Sequence, residues 1–533
     1  MYIKDEHKMW IAGDHIYLDP KMANRHGLIT GATGTGKTVT LKVLAEGFSS
    51  MGVPVFLSDI KGDLSGFLEP VEMNENVQGR INQLGLEGFT PSTFPTTFFD
   101  VFGRNGVPVR ATVSDVGPQL LSRLMDLNDT QTGIMNLVFK VADDLGWLLI
   151  DLKDLRAMLQ YVSENREKYS EEYGNIAPQS VSAILRNLLV LEQEGAHEFF
   201  GEPAMDIHDW FNQDSTGRGM INVLSSTELF NKPLLYATVM LWLMTELYEN
   251  LDEQGDSDKP RMVFFFDEAH LLFKDISKAL QEKIEQVVKL IRSKGVGIYF
   301  ITQIPRDIPD TILAQLGNKV QHALRAYTPA EEKAVKTTAN SFRPNPEFNT
   351  QEVLTALGTG EALISVLDDD GIPGIVKKCR ILPPQSQMGA ISDDERQKEL
   401  NMCNLALKYQ DMVDRDSAYE FFLRYNAQAA EEAAAAKEQA ALAKQAEKER
   451  IAAEKLAAKE KAAAEKKAQK EAEKKQKALK SSVKKVASTT GGTIGREIGK
   501  TLGNSIGGKF GKTLGGNIGA SLGRNILGTF FKN

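Results

Sequence analysis

Short apolar runs recur along the first two thirds of the chain, and polar or glycine-rich segments bound each of them. Runs of four to eight apolar residues are typical of buried strands, whereas apolar residues spaced three and four apart are typical of helices. Alternating buried strands and helices are typical of a mostly parallel sheet with helices on both faces. The predicted fold class is therefore α/β. Its predicted strands lie at 28–30, 53–57, 219–224, 261–266 and 297–301.

The segment between the second and third of these strands has a different pattern. Four stretches place apolar residues at helical spacing and carry few strand signals. They predict a largely helical insertion into the α/β core. The stretches are 119–125, 133–145, 152–165 and 179–194.

Just before this helical segment, apolar residues at 96–102 and 107–113 flank the dipeptide Asn105-Gly106. Asn-Gly favours the two-residue turns that join antiparallel strands, so the pattern predicts a β-hairpin. Beyond the insertion, apolar residues at 232–251 predict a buried helix, and those at 276–294 predict an amphipathic one.

The first predicted strand leads directly into a glycine-rich phosphate-binding loop, which a helix-compatible run follows. Glycines let the backbone fold so that its N–H groups converge on phosphate oxygens. The lysine is expected to reach the β- and γ-phosphates of ATP, and the last threonine to offer its hydroxyl to Mg²⁺. The predicted nucleotide-binding residues are Gly31, Ala32, Thr33, Gly34, Thr35, Gly36, Lys37, Thr38 and Val39.

Two adjacent carboxylates, Asp267 and Glu268, follow the apolar strand at 261–266. In ATPases such a strand delivers one carboxylate to the Mg²⁺ shell and leaves the next to orient the attacking water. We predict these roles for Asp267, which would act through the water shell of the metal, and for Glu268. Acidic residues also serve as helix N-caps, but the upstream phosphate loop favours the catalytic interpretation.

Polar residues end two further strands, at the carboxyl edge where open α/β sheets bind ligands. Gln303 follows the strand at 297–301 and is predicted to contact the γ-phosphate or its water. Asp59 and Lys61 follow the strand at 53–57, where placement near the nucleotide and a plain polar turn are equally compatible with the sequence.

His270 completes a DEAH string, yet no arginine-rich helicase element of the QxxGRxGR type follows it. We therefore interpret His270 as structural rather than catalytic. The histidines show no metal-ligand spacing with Cys, Asp or Glu, so no zinc site is predicted.

Charge divides the chain into an acidic body and a basic tail. Residues 1–426 contain 41 Lys and Arg against 60 Asp and Glu, whereas residues 427–533 contain 22 against 11. An acidic body disfavours nucleic acid along the outer surface, although it allows a locally basic pore or groove. The chain has two cysteines, no apolar core of a signal peptide near its start and no apolar run long enough to cross a membrane. These features predict a cytoplasmic protein.

The tail itself has two parts. Residues 427–485 are rich in Ala, Lys and Glu and predict a long solvated helix or a partly disordered arm, with a coiled coil less favoured. In 486–533 glycine recurs every four residues, mostly after an apolar residue, with basic residues nearby. Two interpretations stay open: an anchor for self-association or a membrane surface, and a disordered low-complexity segment.

The motifs together resemble those of the HerA/FtsK branch of P-loop ATPases. The combination consists of the phosphate loop, the Asp-Ile-Lys-Gly string at 59–62, the DEAH string and the Thr-Gln pair at 302–303. More narrowly, residues 1–425 resemble the bacterial HerA-like proteins of the YjgR type, and the glycine-rich tail is also associated with that group. Relatives tend to carry an N-terminal β-barrel, for which we expect no room in the 27 or so residues before the phosphate-loop strand.

This resemblance implies a RecA-like core that forms homo-oligomeric rings, with a hexamer favoured, and moves DNA through a central pore. It also implies an arginine that acts on the neighbouring subunit's nucleotide. Arg325 is the preferred candidate because it follows the last predicted core strand, and Arg292 and Arg306 are the alternatives.

The predicted function is thus an ATP-hydrolysing motor on DNA. The alternative is an ATP-dependent switch or protein-remodelling scaffold that does not translocate on nucleic acid and docks partners through its tail. The predicted organisation is an ATPase core in two parts (1–95 and 216–390), the insertion with its hairpin (96–215), a helical closing segment (391–426), the helix or arm (427–485) and the glycine-rich tail (486–533).

Overall fold

The computed structural model describes residues 1–486, apart from Asp256 and Asp275. Contacts between residues divide the chain into two units, with the boundary between Ala427 and Gln428. The predicted glycine-rich tail, 486–533, lies almost entirely outside the described residues.

The strands of the first unit belong to two sheets, one of three strands and one of ten. The strands are β1 (Tyr2–Ile3), β2 (Lys8–Ala12), β3 (Ile16–Leu18), β4 (Gly27–Thr30), β5 (Val55–Asp59), β6 (Thr96–Asp100), β7 (Val107–Pro108), β8 (Ile221–Ser225), β9 (Met262–Phe266), β10 (Val296–Thr302), β11 (Asn318–His322), β12 (Glu361–Ser365) and β13 (Lys377–Arg380).

The ten-stranded sheet has the order β13-β12-β11-β4-β10-β9-β5-β8-β6-β7. The strands from β11 to β7 are all parallel, and only the β11–β12 and β12–β13 pairings are antiparallel. The predicted α/β class with a mostly parallel sheet is confirmed. All five predicted strands lie in its centre, as β4, β5, β8, β9 and β10.

The α-helices connect these strands and continue beyond them. They are α1 (Lys37–Ser50), α2 (Glu75–Leu84), α3 (Val113–Leu124), α4 (Asp129–Leu145), α5 (Leu152–Glu164), α6 (Arg166–Tyr173), α7 (Pro178–Gln193), α8 (Pro233–Asn250), α9 (Lys278–Ile291), α10 (Asp310–Leu313), α11 (Pro329–Asn340), α12 (Thr350–Ala356), α13 (Asp393–Met402), α14 (Asn404–Tyr409) and α15 (Ala418–Val486).

Two apolar cores cover the two faces of the large sheet. On one face, Phe56, Phe264 and Phe266 pack in a single cluster with α8, α9 and the helices α3 to α7. On the other, α1 and the small N-terminal sheet cover the sheet through residues such as Phe48 and Met9. Burial on both faces explains why the central strands have continuous rather than alternating apolar sequences.

The predicted hairpin at 96–113 is wrong. Phe99 and Asp100 of β6 pair with Val107 and Pro108 of β7 in parallel, at the edge of the large sheet. The Asp100 carboxylate accepts backbone N–H groups of the connecting loop and fixes a wider turn. Gly106 is required for close approach, because a Cβ there would lie 2.5 Å from the Phe99 carbonyl carbon.

The second unit begins at Gln428 and is helical as far as the structure describes it, within α15. Its few large apolar residues, among them Leu442 and Leu456, are exposed. Within the described part of the chain, no helix combines the length and apolarity that crossing a membrane requires.

Candidate functional site

The phosphate loop connects β4 to α1 at the carboxyl edge of the parallel strands. Gly34 and Gly36 have φ values of 76° and 113°, which disfavour any side chain with a Cβ. Gly36 is also the N-cap of α1, so the free N–H groups of the first helical turn point at the loop. Such an arrangement is suited to binding an anion.

Lys37 is buried inside its own loop. Its Nζ donates to the carbonyl oxygens of Gly31 at 2.6 Å and Ala32 at 3.2 Å. Burial lowers the pKa of Lys37, and the negative charges of Glu268 and Asp267 partly oppose that shift. Lys37 therefore lies within electrostatic reach of both predicted catalytic carboxylates.

Asp267 and Glu268 follow β9, which lies between β10 and β5. Burial raises the pKa of Asp267 to about 6, although the charge of Lys61 opposes this. Glu268 has a left-handed backbone conformation, with φ 46° and ψ 47°. Such strain in a non-glycine residue concentrates at functional sites, because surrounding structure must hold it in place.

Lys61 joins the two carboxylates. Its Nζ lies 2.7 Å from Glu268 Oε1 and 3.7 Å from Asp267 Oδ2. Burial favours a higher pKa for Glu268, but the hydrogen bond and charge of Lys61 outweigh it and lower that pKa. Of the two interpretations left open by the sequence, the structure places Lys61 in the site.

Asp59 has a different role. Its carboxylate accepts the backbone N–H groups of Gly62 at 2.7 Å and Leu64 at 3.0 Å. Both oxygens are thus used to fix the turn that carries Lys61. The sequence did not separate a ligand role from a turn role for Asp59, and these bonds favour the turn.

Gln303 and Arg325 line one cavity of about 370 Å³ together with Ala32 and Thr33 of the phosphate loop. The preceding residue, Thr302, donates its hydroxyl to Asp307 at 2.8 Å, which fixes the turn after β10. The structure therefore brings Gln303 and Arg325 to the same side of the loop.

The three candidate arginines occupy different places. Arg325 donates to the carbonyl oxygens of Thr355 and Leu357 of its own chain. Arg306 is exposed on the loop after β10. Arg292 follows α9 and precedes β10, so it lies towards the amino edge of the parallel strands, opposite the phosphate loop.

His270, interpreted as structural, lies 3.4 Å from Glu268 through its Nδ1 atom. Neither that nitrogen nor Glu268 Oε2 has a hydrogen-bond partner among the described residues, and both atoms are buried. His270 is therefore a neighbour of the predicted base.

Two supports of the loop were missed by the sequence analysis. His322 is buried, and its ring contacts the Thr40 hydroxyl at 2.8 Å and the Glu361 carbonyl oxygen at 3.0 Å. Gly360 donates its N–H to the Thr35 carbonyl oxygen at 2.9 Å. Both residues lie on or beside strands that are distant in sequence, so no local motif signals them.

The side chains present fit a magnesium ion. Mg²⁺ prefers hard oxygen ligands and keeps several waters, and the Thr38 hydroxyl and Asp267 carboxylate supply such oxygens. Glu268 Oε2 is buried and accepts no hydrogen bond from the described residues, although His270 Nδ1 lies 3.4 Å away, so it is available to accept one from a water.

Comparison with known proteins identifies relatives. Residues 6–510 match the family described as helicase HerA-like C-terminal. The DNA double-strand break repair helicase HerA of Sulfurisphaera tokodaii is 24% identical over 376 residues, which cover 66% of this chain and 64% of that protein. HerA of Saccharolobus solfataricus is 21% identical, over 64% of this chain and 61% of that protein. The chain thus aligns with just under two thirds of these relatives' length.

The chain also shows partial structural similarity to solved proteins. The plasmid coupling protein TrwB in complex with the non-hydrolysable GTP analogue GDPNP covers 72% of this chain and 90% of its own, with 13% identity and a TM-score of 0.48. VirB4 of Thermoanaerobacter pseudethanolicus covers 73% and 97%, with 16% identity and a TM-score of 0.43.

Proposed function

Because this chain belongs to the helicase HerA-like C-terminal family, we propose that it is an ATP-hydrolysing motor that acts on DNA as a helicase or translocase. The observation that carries the proposal is the convergence of the phosphate loop, the Asp267–Glu268 pair and Lys61 at one edge of the sheet. The named HerA relatives are DNA repair helicases, which supports DNA as the polymer.

In the proposed reaction, water attacks the γ-phosphate of ATP in line with the leaving ADP. Glu268 orients that water, and Lys37 stabilises charge on the transferred phosphoryl group. Gln303 contacts the γ-phosphate or its water from the adjacent strand. Thr38 and Asp267, the latter through the water shell of the metal, would hold Mg²⁺, which would neutralise part of the phosphate charge.

We further propose a ring, with a hexamer favoured, in which an arginine of one subunit completes the site of its neighbour. Arg325 lines a cavity together with its own phosphate loop and donates hydrogen bonds within its own chain, which suits action within the subunit. Arg292 lies in a polar cavity of about 710 Å³ with Lys21, Arg25 and Lys289. Its place away from its own loop makes Arg292 the better trans candidate.

Turnover with and without DNA tests the motor. We expect purified protein to hydrolyse ATP faster when double-stranded DNA is added, with a stimulation that weakens as salt rises. A rate that is indifferent to double-stranded and single-stranded DNA would contradict the motor proposal. Mass measurement with and without ATP tests the ring, and a strict monomer under both conditions would contradict it.

A second candidate function is an ATP-dependent switch or protein-remodelling scaffold. The excess of acidic residues in 1–426, 60 against 41 basic ones, favours this candidate because it opposes DNA on the outer surface. It predicts ATP-dependent association with a protein partner and no effect of DNA on turnover. The basic residues from 427 onward would then contact that partner or a membrane surface.

A further inference from the structure

A second cavity of about 370 Å³ lies beside the one that contains Gln303. We call it the basic cavity. Its walls come from the loop after β10, from α10, from β11 and from α11. Its polar lining includes Arg306, Lys319, Lys333, Thr337, Ser341 and Asp310. Three cations thus face one carboxylate, in a unit whose overall charge is strongly negative.

Among the described residues, none of these three cations forms an ion pair within 4 Å with a carboxylate, and this holds for Asp310 in the same cavity too. Lys319 is the least exposed of the three cations. Within the described part of the chain its Nζ donates only to the Ser341 carbonyl oxygen, at 3.4 Å, and lies 6.0 Å from the centre of the Phe342 ring. Burial lowers the pKa of Lys319. A partly buried ammonium with one long hydrogen bond gains from an anion.

The basic cavity is structurally linked to the nucleotide site. Ile304 and Ala334 line both cavities, so the loop that carries Gln303 on one side carries Arg306 on the other. Asp307 closes this loop through the Thr302 hydroxyl and the Ile304 N–H. A ligand in the basic cavity would therefore touch the same loop that presents Gln303 to the γ-phosphate.

We propose that the basic cavity binds phosphate groups of a nucleic-acid backbone and that this contact transmits DNA binding to Gln303. The inference rests on the proposed function, which it deepens by locating a contact for the polymer. A linear polyanion suits an open cavity whose three cations come from the loop after β10, from β11 and from α11, because phosphate contacts position a nucleic acid without reading its sequence. A local cluster of cations also explains how a protein with an excess of acidic residues in 1–426 could bind DNA.

The test compares full-length wild type with Lys333→Gln and with Lys319→Gln/Lys333→Gln. Lys336→Gln, on the same helix at an exposed position outside the cavity lining, is the matched control. Binding of double-stranded DNA is measured by fluorescence anisotropy between about 50 and 200 mM salt. The slope of log K against log salt should fall by about 1 in the single variant and about 2 in the double variant. The stimulation of ATP turnover by DNA should also be smaller in both variants than in wild type.

The possible outcomes separate the inference from the proposed function. If wild type binds DNA and the double variant binds with the same affinity and slope, the polymer contacts another surface and the inference is overturned while the motor stands. If wild type neither binds DNA nor responds to it, both are overturned. If the double variant loses binding of inorganic phosphate alone but keeps its DNA slope, the cavity takes a small phosphate, which also overturns the inference. The basic tail is present in wild type and in every variant, so it cannot cause a difference between them in DNA affinity or salt slope.

Discussion

The Nζ atom of Lys61 lies 2.7 Å from Oε1 of Glu268, in a site where Glu268 is predicted to orient the attacking water. The same ammonium lies 3.7 Å from Asp267 Oδ2. Two adjacent carboxylates in buried surroundings repel one another. If no cation lay nearby, this repulsion would raise the pKa of one of them and favour its protonated form. Lys61 therefore lowers the pKa of Glu268 and favours its ionised form.

Replacing Lys61 by Gln should shift the acid limb of the kcat profile to higher pH. Loss of the opposite charge raises the pKa of Glu268, because the hydrogen bond and charge of Lys61 are what lower it. Lys61→Arg keeps the charge and should stay closer to wild type. An identical pH profile in the Gln variant would show that Lys61 does not control the ionisation of Glu268.

Replacing Glu268 by Gln should abolish hydrolysis while ATP still binds. The amide fills the same volume but cannot orient and polarise water as a carboxylate does. Turnover and the Kd of an ATP analogue are the two measurements, with thermal unfolding as a check on folding. Unchanged turnover would remove Glu268 from its assigned role.

The features predicted correctly from sequence are those whose physical requirements are local. The phosphate loop needs glycines at fixed spacing, and a buried parallel strand needs a continuous apolar run, so both were visible at 31–38 and 262–266. Lys61 was less certain, because its ion pair depends on β5 and β9 being neighbours in the sheet. That pairing joins segments about 200 residues apart.

The errors have physical causes of the same kind. Asn105-Gly106 is a dipeptide typical of hairpin turns. In the structure, however, the Asp100 carboxylate accepts backbone N–H groups of this loop, and Gly106 packs against Phe99. His322 was overlooked because a lone histidine carries no motif. Its role depends on contacts with α1 and with Glu361, which only the folded sheet brings together.

Replacing His322 by Ala should weaken nucleotide binding and lower stability by roughly 2 to 4 kcal/mol. The substitution removes the ring that lies beside Gly36 and leaves a cavity there, and it removes partners from the Thr40 hydroxyl and the Glu361 carbonyl oxygen. Equilibrium unfolding and the Kd of an ATP analogue measure the two effects. His197→Ala, at an exposed site, is the control. Nucleotide affinity equal to wild type would exclude a supporting role for His322.

Asp267 should make the protein less stable as the pH rises from about 4 to about 6. Burial raises the pKa of Asp267 to about 6 from an ordinary value of 3.8, so in this window the folded protein binds the proton more tightly than the unfolded chain. Above pH 6 the ionised carboxylate lowers the free energy of unfolding by about 3 kcal/mol. Without nucleotide and with a chelator, Asp267→Asn should therefore unfold at a higher temperature than wild type at pH 7.

This difference should disappear near pH 4, where both proteins carry a neutral side chain at position 267. Asp370→Asn, at an exposed position, should show no such pH dependence. A variant that is less stable than wild type at pH 7 would contradict the assigned burial cost.

Mixing two inactive variants should identify the arginine that acts between subunits. A subunit with Glu268→Gln keeps its arginines, and a subunit with Arg292→Ala keeps its Glu268. If the arginine of one subunit completes the neighbour's site, a mixed ring contains some complete sites and regains turnover, which neither protein has alone. We expect turnover to recover with Arg292→Ala and not with Arg325→Ala. Arg325 donates hydrogen bonds to its own chain and shares a cavity with its own phosphate loop. Recovery with Arg325→Ala or Arg306→Ala instead would reassign the trans role to that residue.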